Sequence, residues 1–599
     1  MLRFTTITLP MAGPGPGNGL PILDAGGARQ PSPAEARLLG LEGCLPRPPS
    51  LLPYDAQDGF DRTVSKQPTP VAVLENKRLR ATFLLALGGR LWSLLDKGTG
   101  RNLLHQPEVL RHANLALRKA WFAGGVEWNL GCTGHWPLTS SPVFAGAVTQ
   151  QVLRLWAYER MLRLVWRLDV SLPEGSEDLL VRVVLHNPHR APVPVYWWST
   201  IAVPLAEQGR VLMPARAAWC SNHATIEKVE ITAEMLRPDQ VGQSYELFGD
   251  LPGLQQPWVA AVDADGYGLQ QTSTARLRGR ELFTWGVGAG GRRWQQWLGG
   301  DRPYAEIQAG LAPTQLHHLQ LPASQTWSWT ESYGPVRVPA DYPDLPGPVP
   351  PPRAVAVASA DQALAEVERL PVEVHHYGDG WGALEVAAGH LSRSPATPFP
   401  GSTLSAEQRP WLGLIDHGWL RTPAAPVLGG AWAERLARAG ASPERDLHLG
   451  YQAWARGETD QARACWQRSY DADGSPRTLR ALALTADPVD VDALAEAADR
   501  DGSVALRVEH LEAAVAAGRY QEVVAATEQI DPGPRAGRLT LLRVTALVGL
   551  GRAEQARALL DGRLEVNDLR EGSLSFSEVW EATHPGEPLP AEYDFRMRP

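Results

Sequence analysis

The chain has 599 residues, 44% hydrophobic and 21% charged, with a formal net charge of -9, so it has the apolar content to bury extensive cores and is not disordered in bulk. No Lys/Arg-rich run stands out, which sets nucleic acid aside as a partner, and no 18-residue apolar stretch occurs, which sets a membrane span aside. Cys44, Cys132, Cys220 and Cys465 lack the CxxC spacing of zinc or redox sites and read as free buried thiols, and the N-terminus lacks the apolar core of a secretory signal, so the expected location is cytoplasmic.

The first 60 residues are rich in Pro and Gly, from GPGPG to PRPPSLLPY, and predict an extended arm, with TTITL ahead of it suited to an edge strand. From residue 61 to 340 the texture is one of short apolar runs, VAVLEN, LRATFLLAL, VLRLWAYER and LLVRVVLHN among them, punctuated by GG, DKGTG, PEGSED and NP. Strands with turn signals at regular intervals predict an all-β sandwich. Most of the 22 tryptophans fall here, against 10 phenylalanines in the whole chain. Trp supplies a flat apolar face and one N–H donor, which suit both cores and sugar rings.

Residues 341–425 form a proline-rich connector with a helical segment, and 426–599 take on helical periodicity. Gly457, Gly518 and Gly551 each sit between two such helices, followed five positions later by Ala462, Val523 and Ala556. The last two glycines are 33 positions apart, close to the roughly 34-residue tetratricopeptide period. Paired helices of this kind are expected to dock on the sandwich as a shell.

Two segments carry the candidate chemistry. Residues 116–142 gather Arg118, Trp121, Glu127, Trp128, Asn129, His135 and Trp136 in short strands and Gly-rich turns. Residues 304–333 place Tyr304, Glu306 and Gln308 on one strand face by period-2 alternation, with Glu331 on the next strand. Two carboxylates with aromatic neighbours can do acid/base work on a sugar, one keeping its proton and one ionised; structural ion pairs with arginine are the plainer reading. In Tyr196-Trp197-Trp198, the two tryptophans point to opposite faces, so that one is core and the other, Trp198, can line a cleft. His317 and His318 are adjacent on an expected strand and cannot share an ion, and no metal or cofactor motif is present; none is expected.

LENKRLRATFLLALGGRLWSLLDKGTGRNLL, AWFAGGVEWNLGCTGHWP, YWWSTIAVP, LFTWGVGAGGRRWQQWL and YAEIQAGLAPTQ, with GDGWGALE and the terminal LPAEYDFRM, resemble a bacterial family of unassigned function. In that family a galactose-mutarotase-like domain precedes tetratricopeptide-type helices. The resemblance implies a β-supersandwich that binds sugars in a concave cleft, followed by a C-terminal tetratricopeptide-like helical domain. It also implies that Glu306, in a Glu-x-Gln strand followed by a Pro-containing turn, is the base, with Tyr304 and Gln308 flanking it. The mutarotase acid is a His in a His-x-Tyr-Phe-Asn motif, and Tyr196–Thr200 has none, so Glu127, Glu331 or His135 is expected as the acid.

The expected function is a glycoside hydrolase acting on oligosaccharides, with Glu306 and either Glu127 or Glu331 as the carboxylate pair. Trp121, Trp128, Trp136 and Trp198 would stack on sugar faces, while Arg118, Asn129 and Gln308 bond hydroxyls. A non-catalytic carbohydrate-binding protein with a partner-binding repeat and a sugar epimerase or mutarotase, the latter with Arg292-Arg293 as a cationic pocket, are the alternatives. A sugar is the expected ligand, and homo-oligomerisation is left open.

Overall fold

A computed structural model describes residues 1–24, 31–42, 44–222, 225–339, 341–345, 347, 349–528 and 533–597. The short apolar runs form strands, and the strands form two large, mainly antiparallel sheets, of thirteen and nine strands among the described residues. Alternation assigns each strand one face to the space between the sheets. From the first sheet Trp128, Leu130, Trp197, Ile201, Ile307 and Leu282 point there; Leu155, Trp166, Val183 and Trp329 of the second sheet meet them in one buried cluster.

Two segments outside the central region join the sheets. Leu2–Ala12, within the stretch read as an extended arm, is a strand paired with Ser65–Glu75 and with Leu110–Arg111. Glu373–His376, within the connector, pairs with Phe144–Thr149 at the edge of the second sheet. His375 there stacks on Phe4, with ring centroids 4.2 Å apart.

The C-terminal region is a row of antiparallel helix pairs: Pro443–Ala455 with Thr459–Asp473, Pro476–Leu484 with Val491–Asp501, Val504–Ala516 with Tyr520–Thr527, and Ala536–Gly549 with Ala553–Leu560. Gly457, Gly518 and Gly551 turn the corners with φ of 77°, 72° and 72°, a left-handed conformation that glycine adopts without a Cβ clash. Ala462, Val523 and Ala556, five positions on, are fully buried.

These helices dock on the sandwich. One apolar cluster takes Trp121, Trp285, Trp294, Trp297 and Tyr304 from the sandwich together with Leu539, Leu542, Phe576 and Trp580 from the helices. The chain end then folds back: the Trp294 indole donates to the Phe595 carbonyl at 2.9 Å, Arg293 Nε to that of Glu592 at 3.0 Å, and the Ser244 amide to that of Met597 at 3.0 Å. Among the described residues no helix is long and apolar enough to cross a membrane.

Candidate functional site

The concave face of the first sheet is built by four adjacent strands, Val126–Leu130, Trp197–Pro204, Tyr304–Gly310 and Gly279–Thr284. Register places Glu127 opposite Thr200, Thr200 opposite Gln308 and Gln308 opposite Glu281, so four polar residues form one lateral row. Glu306 lies two residues along from Gln308 on the same face, opposite Ala202 and Phe283. Above this row opens a cavity of about 740 Å³, whose wall includes Glu306, Gln308, Glu281, Asn129, His135 and Trp121. This volume suits a small-molecule ligand.

Glu127 is fully engaged. Its carboxylate accepts from the Trp121 indole at 2.8 Å, from His135 Nδ1 at 2.8 Å and from the Thr139 hydroxyl at 2.5 Å, and Arg90 approaches to 3.3 Å. Burial opposes ionisation, but the charges of His135 and Arg90 and these hydrogen bonds outweigh it and hold the carboxyl at about 2. The same contact acts on His135 in reverse. Burial would lower its pKa, yet the Glu127 carboxylate, and after it Glu306 and Glu571, raise it. The ring also packs against Trp121 with centroids 4.6 Å apart, so it is a fixed imidazole on the cavity wall whose charged form the Glu127 carboxylate favours.

Glu306 is the converse. It is 4% exposed, and among the described residues the one side-chain hydrogen bond it accepts is a long one from Gln308 Nε2 at 3.4 Å. Burial pushes its carboxyl up to about 7, with Glu127 and Glu571 adding to the rise and His135 and Arg90 opposing it. A carboxyl that titrates near neutrality in a cavity is suited to exchange protons with a ligand. Gln308 is set by the Thr200 hydroxyl at 3.0 Å, which itself accepts from Asn129 Nδ2 at 3.0 Å.

The other expected site residues lie elsewhere, and the reasons are geometric. Glu331 sits in the interior between the sheets, where it accepts from Ser199 at 2.9 Å, Trp329 at 3.1 Å, Tyr333 at 2.6 Å and Gln271 at 3.2 Å. Ser199 and Thr200 are neighbours in one strand, so their side chains point to opposite faces, and Glu331 follows Ser199 into the core. Trp128 donates to the Gly89 carbonyl at 3.1 Å, and Trp136 packs on Trp166 at 4.9 Å; both are core. Trp198 does point to the concave side, but Tyr196 and Phe248 pack over it and leave it fully buried. Tyr304 stacks on His105 at 4.5 Å below the cavity wall. Arg118 binds Asp55 at 2.7 Å and borders a separate cavity of about 440 Å³.

Arg292 and Arg293 also miss the cavity: they sit on the helix Ala289–Trp297, and Arg293 lies over Trp297 and Phe595. His317 Nε2 donates to the Leu39 carbonyl at 3.1 Å and His318 Nε2 accepts from the Thr133 amide at 3.3 Å, in separate contacts. Among the described residues no group of three or more His, Cys, Asp or Glu is placed to hold a metal ion.

Several wall residues carried no signal strong enough to be singled out from sequence. Glu281 stands in a strand with Phe283 on its own face and Trp285 just beyond the strand's end on the same cavity wall, an alternation that marks it in retrospect. Arg570, Glu571 and Leu574, from the loop preceding the helix Ser575–Thr583, and Arg596 and Met597 of the folded-back end close the cavity from the helical side. Local pattern cannot place a residue some 260 positions away in the chain against Glu306.

A TPR-domain containing protein from Parabacteroides distasonis is similar in structure over 100% of this chain and 98% of its own, with a TM-score of 0.69 and 20% identity. A galactose mutarotase-like protein from Clostridium acetobutylicum matches 45% of this chain and 96% of its own, at 12% identity and a TM-score of 0.35. A putative aldose 1-epimerase from Escherichia coli K12 matches 44% and 98%, at 13% identity and 0.34. As expected from the sequence, the fold is a large β-sandwich followed by a C-terminal helical region. Residues 46–336 match the family model described as Domain of unknown function (DUF5107).

Proposed function

We propose that the cavity is the active site of a carbohydrate-active enzyme in which Glu306 is the general base and His135 the general acid at the anomeric centre of a sugar. The observation that carries this reading is the pairing of opposites on one wall: a carboxyl pushed up to about 7 with few bonds to restrain it, and an imidazole whose charged form is favoured by its hydrogen bond to Glu127 at 2.8 Å. Two groups whose surroundings drive their pKa values in useful directions mark acid and base.

The carboxylate pair of a glycoside hydrolase is less well supported. A retaining enzyme needs a second carboxylate free to attack carbon, and an inverting one needs a second carboxylate to activate water or a protonated one to give up a proton. Glu127 spends its oxygens on four donors, and Glu331 lies in the core. A Glu/His pair suits epimerisation or mutarotation. Glu306 takes the proton of the anomeric hydroxyl while the imidazolium protonates the ring oxygen, the bond between C1 and that oxygen breaks, and the open-chain aldehyde recloses on its other face with both protons returned.

The test is a panel of free sugars followed by polarimetry or NMR for anomer exchange, run beside aryl glycosides and oligosaccharides assayed for release. Wild type is expected to accelerate exchange and Glu306→Gln to lose about 10²- to 10⁴-fold of it. Glycoside cleavage without exchange would restore the hydrolase reading, and ligand binding without turnover in either protein would leave a binding module. Activity should rise with pH through about 7 as Glu306 ionises and fall at higher pH as His135 loses its proton.

A further inference from the structure

The cavity takes side chains from the helical region as well as from the sheet. Arg570, Glu571 and Gly572, in the loop ahead of the helix Ser575–Thr583, all line it. That loop is fastened to the sandwich segment that carries His135. Arg570 pairs with Asn114 as an isolated parallel bridge, the Asn114 side-chain amide donates to the Asp568 carbonyl at 3.0 Å, and Arg538 Nε holds both Asp568 carboxylate oxygens at 3.1 Å. Ala113, the residue before Asn114, exchanges both backbone hydrogen bonds with Trp121, at 2.8 and 3.0 Å, and the Trp121 indole donates to Glu127. Ala116 pairs in turn with His135. A continuous set of short contacts thus fixes the position of Glu571 relative to the wall that holds His135 and Glu306.

Glu571 is the second residue of a tight turn, closed by the Ser573 amide donating to the Arg570 carbonyl at 3.0 Å, with Gly572 at φ 69° in the third place. It is half-buried, and among the described residues its carboxylate has no hydrogen-bonding or ion-pairing partner. Its charge acts on Glu306, His135 and Tyr304 and raises the pKa of each. The proton transfer above does not use it. We propose that Glu571 is a substrate-binding residue: its carboxylate accepts hydroxyl hydrogens of the sugar from the helical side of the cavity, so that the site is incomplete without the helical region. The inference rests on the sugar site described above and adds what recognises the free hydroxyls of its ligand. A carboxylate offers two acceptor oxygens and no donor, which suits a pair of neighbouring hydroxyls. A hydrogen bond to a charged acceptor is about twice as strong as one between neutral groups, so a single such residue can discriminate a sugar from its deoxy form.

The experiment measures anomer exchange and calorimetric affinity of the full chain for glucose, galactose and their singly deoxygenated forms, in wild type, Glu571→Ala and Glu571→Gln. In Glu571→Ala the KM for the parent sugar is expected to rise at least about tenfold, with kcat at the pH optimum within about threefold of wild type. One deoxy sugar is expected to bind wild type about tenfold more weakly than its parent and to bind Glu571→Ala no more weakly than its parent does. Both variants remove a negative charge that supports the Glu306 proton, so the low-pH limb of kcat/KM, near 7 in wild type, is expected to move to lower pH. An unchanged KM, a loss confined to kcat, a deoxy-sugar penalty that survives in Glu571→Ala, or a limb that stays in place overturns the inference and leaves the sugar site standing. Absence of binding and exchange with every sugar in wild type overturns both.

Discussion

Two buried glutamates on opposite sides of one sheet have different fates. Glu306 and Glu331 both lie in strands of alternating apolar and polar residues, and burial raises both carboxyls. Glu331 is met by four side-chain donors and lies within reach of the Arg280 charge. Among the described residues Glu306 has one long hydrogen bond, and it opens to a cavity of about 740 Å³. Burial alone thus does not identify a working carboxyl; unspent lone pairs and access do. Glu127 makes the same point from the third side, since it faces the same way as Glu306 but its oxygens are taken up by Trp121, His135 and Thr139, and it serves to orient His135 on the cavity wall.

The sharpest way to break this comparison is to remove each carboxyl in turn. Glu306→Gln should cost about 10²- to 10⁴-fold in turnover with folding intact, whereas Glu331→Ala should destabilise by about 3–5 kcal/mol because Ser199, Gln271, Trp329 and Tyr333 lose their acceptor and Arg280 its countercharge. Thermal denaturation and an anomer-exchange assay on both variants separate the two roles. Loss of exchange in Glu331→Ala samples that remain fully folded would contradict the assignment.

Stability against pH sharpens it further. Glu306 has a folded pKa of about 7 against an unfolded value near 4.5, so the folded state binds more protons between those limits. Its contribution is fully present below pH 4.5 and is lost as pH rises through 7. Glu306→Gln should therefore be more stable than wild type at pH 8, by on the order of 3 kcal/mol, and by nothing at pH 4.5. A midpoint difference that does not change with pH would mean that Glu306 is not held protonated by the fold. A base kept in a cavity at the expense of stability is a common pattern at functional sites.

The fold was legible because its signals are local. Period-2 alternation with Gly-rich turns marks the sandwich, and Gly457, Gly518 and Gly551 mark helix corners that need a left-handed residue. Alternation also put Tyr304, Glu306 and Gln308 on one face, which the structure shows, though only the last two reach the cavity. Which face of a sheet is core and which is cleft depends on the second sheet, and no strand records that by itself. Trp128, Trp136, Trp198 and Glu331 were expected in the cleft on residue type, and the packing of the two layers decides otherwise. Glu571 and Arg596 come from the helical side, where only docking of the whole C-terminal region makes them neighbours of Glu306.

Arg118 gives the smallest expected effect and the cleanest control. It lies in the same segment as Glu127 and His135, yet the turn between them sends it outward, where Nε and Nη2 bind Asp55 at 2.9 and 2.7 Å and the guanidinium faces Tyr54 at 5.4 Å. The pair is partly exposed, at 14% and 30%, so its contribution is screened by water. Arg118→Ala should lower stability by about 1 kcal/mol and leave sugar affinity and exchange rate within twofold of wild type. A tenfold loss of sugar binding in that variant would instead place Arg118 in the site, and would require the arm around Asp55 to move aside when the ligand enters.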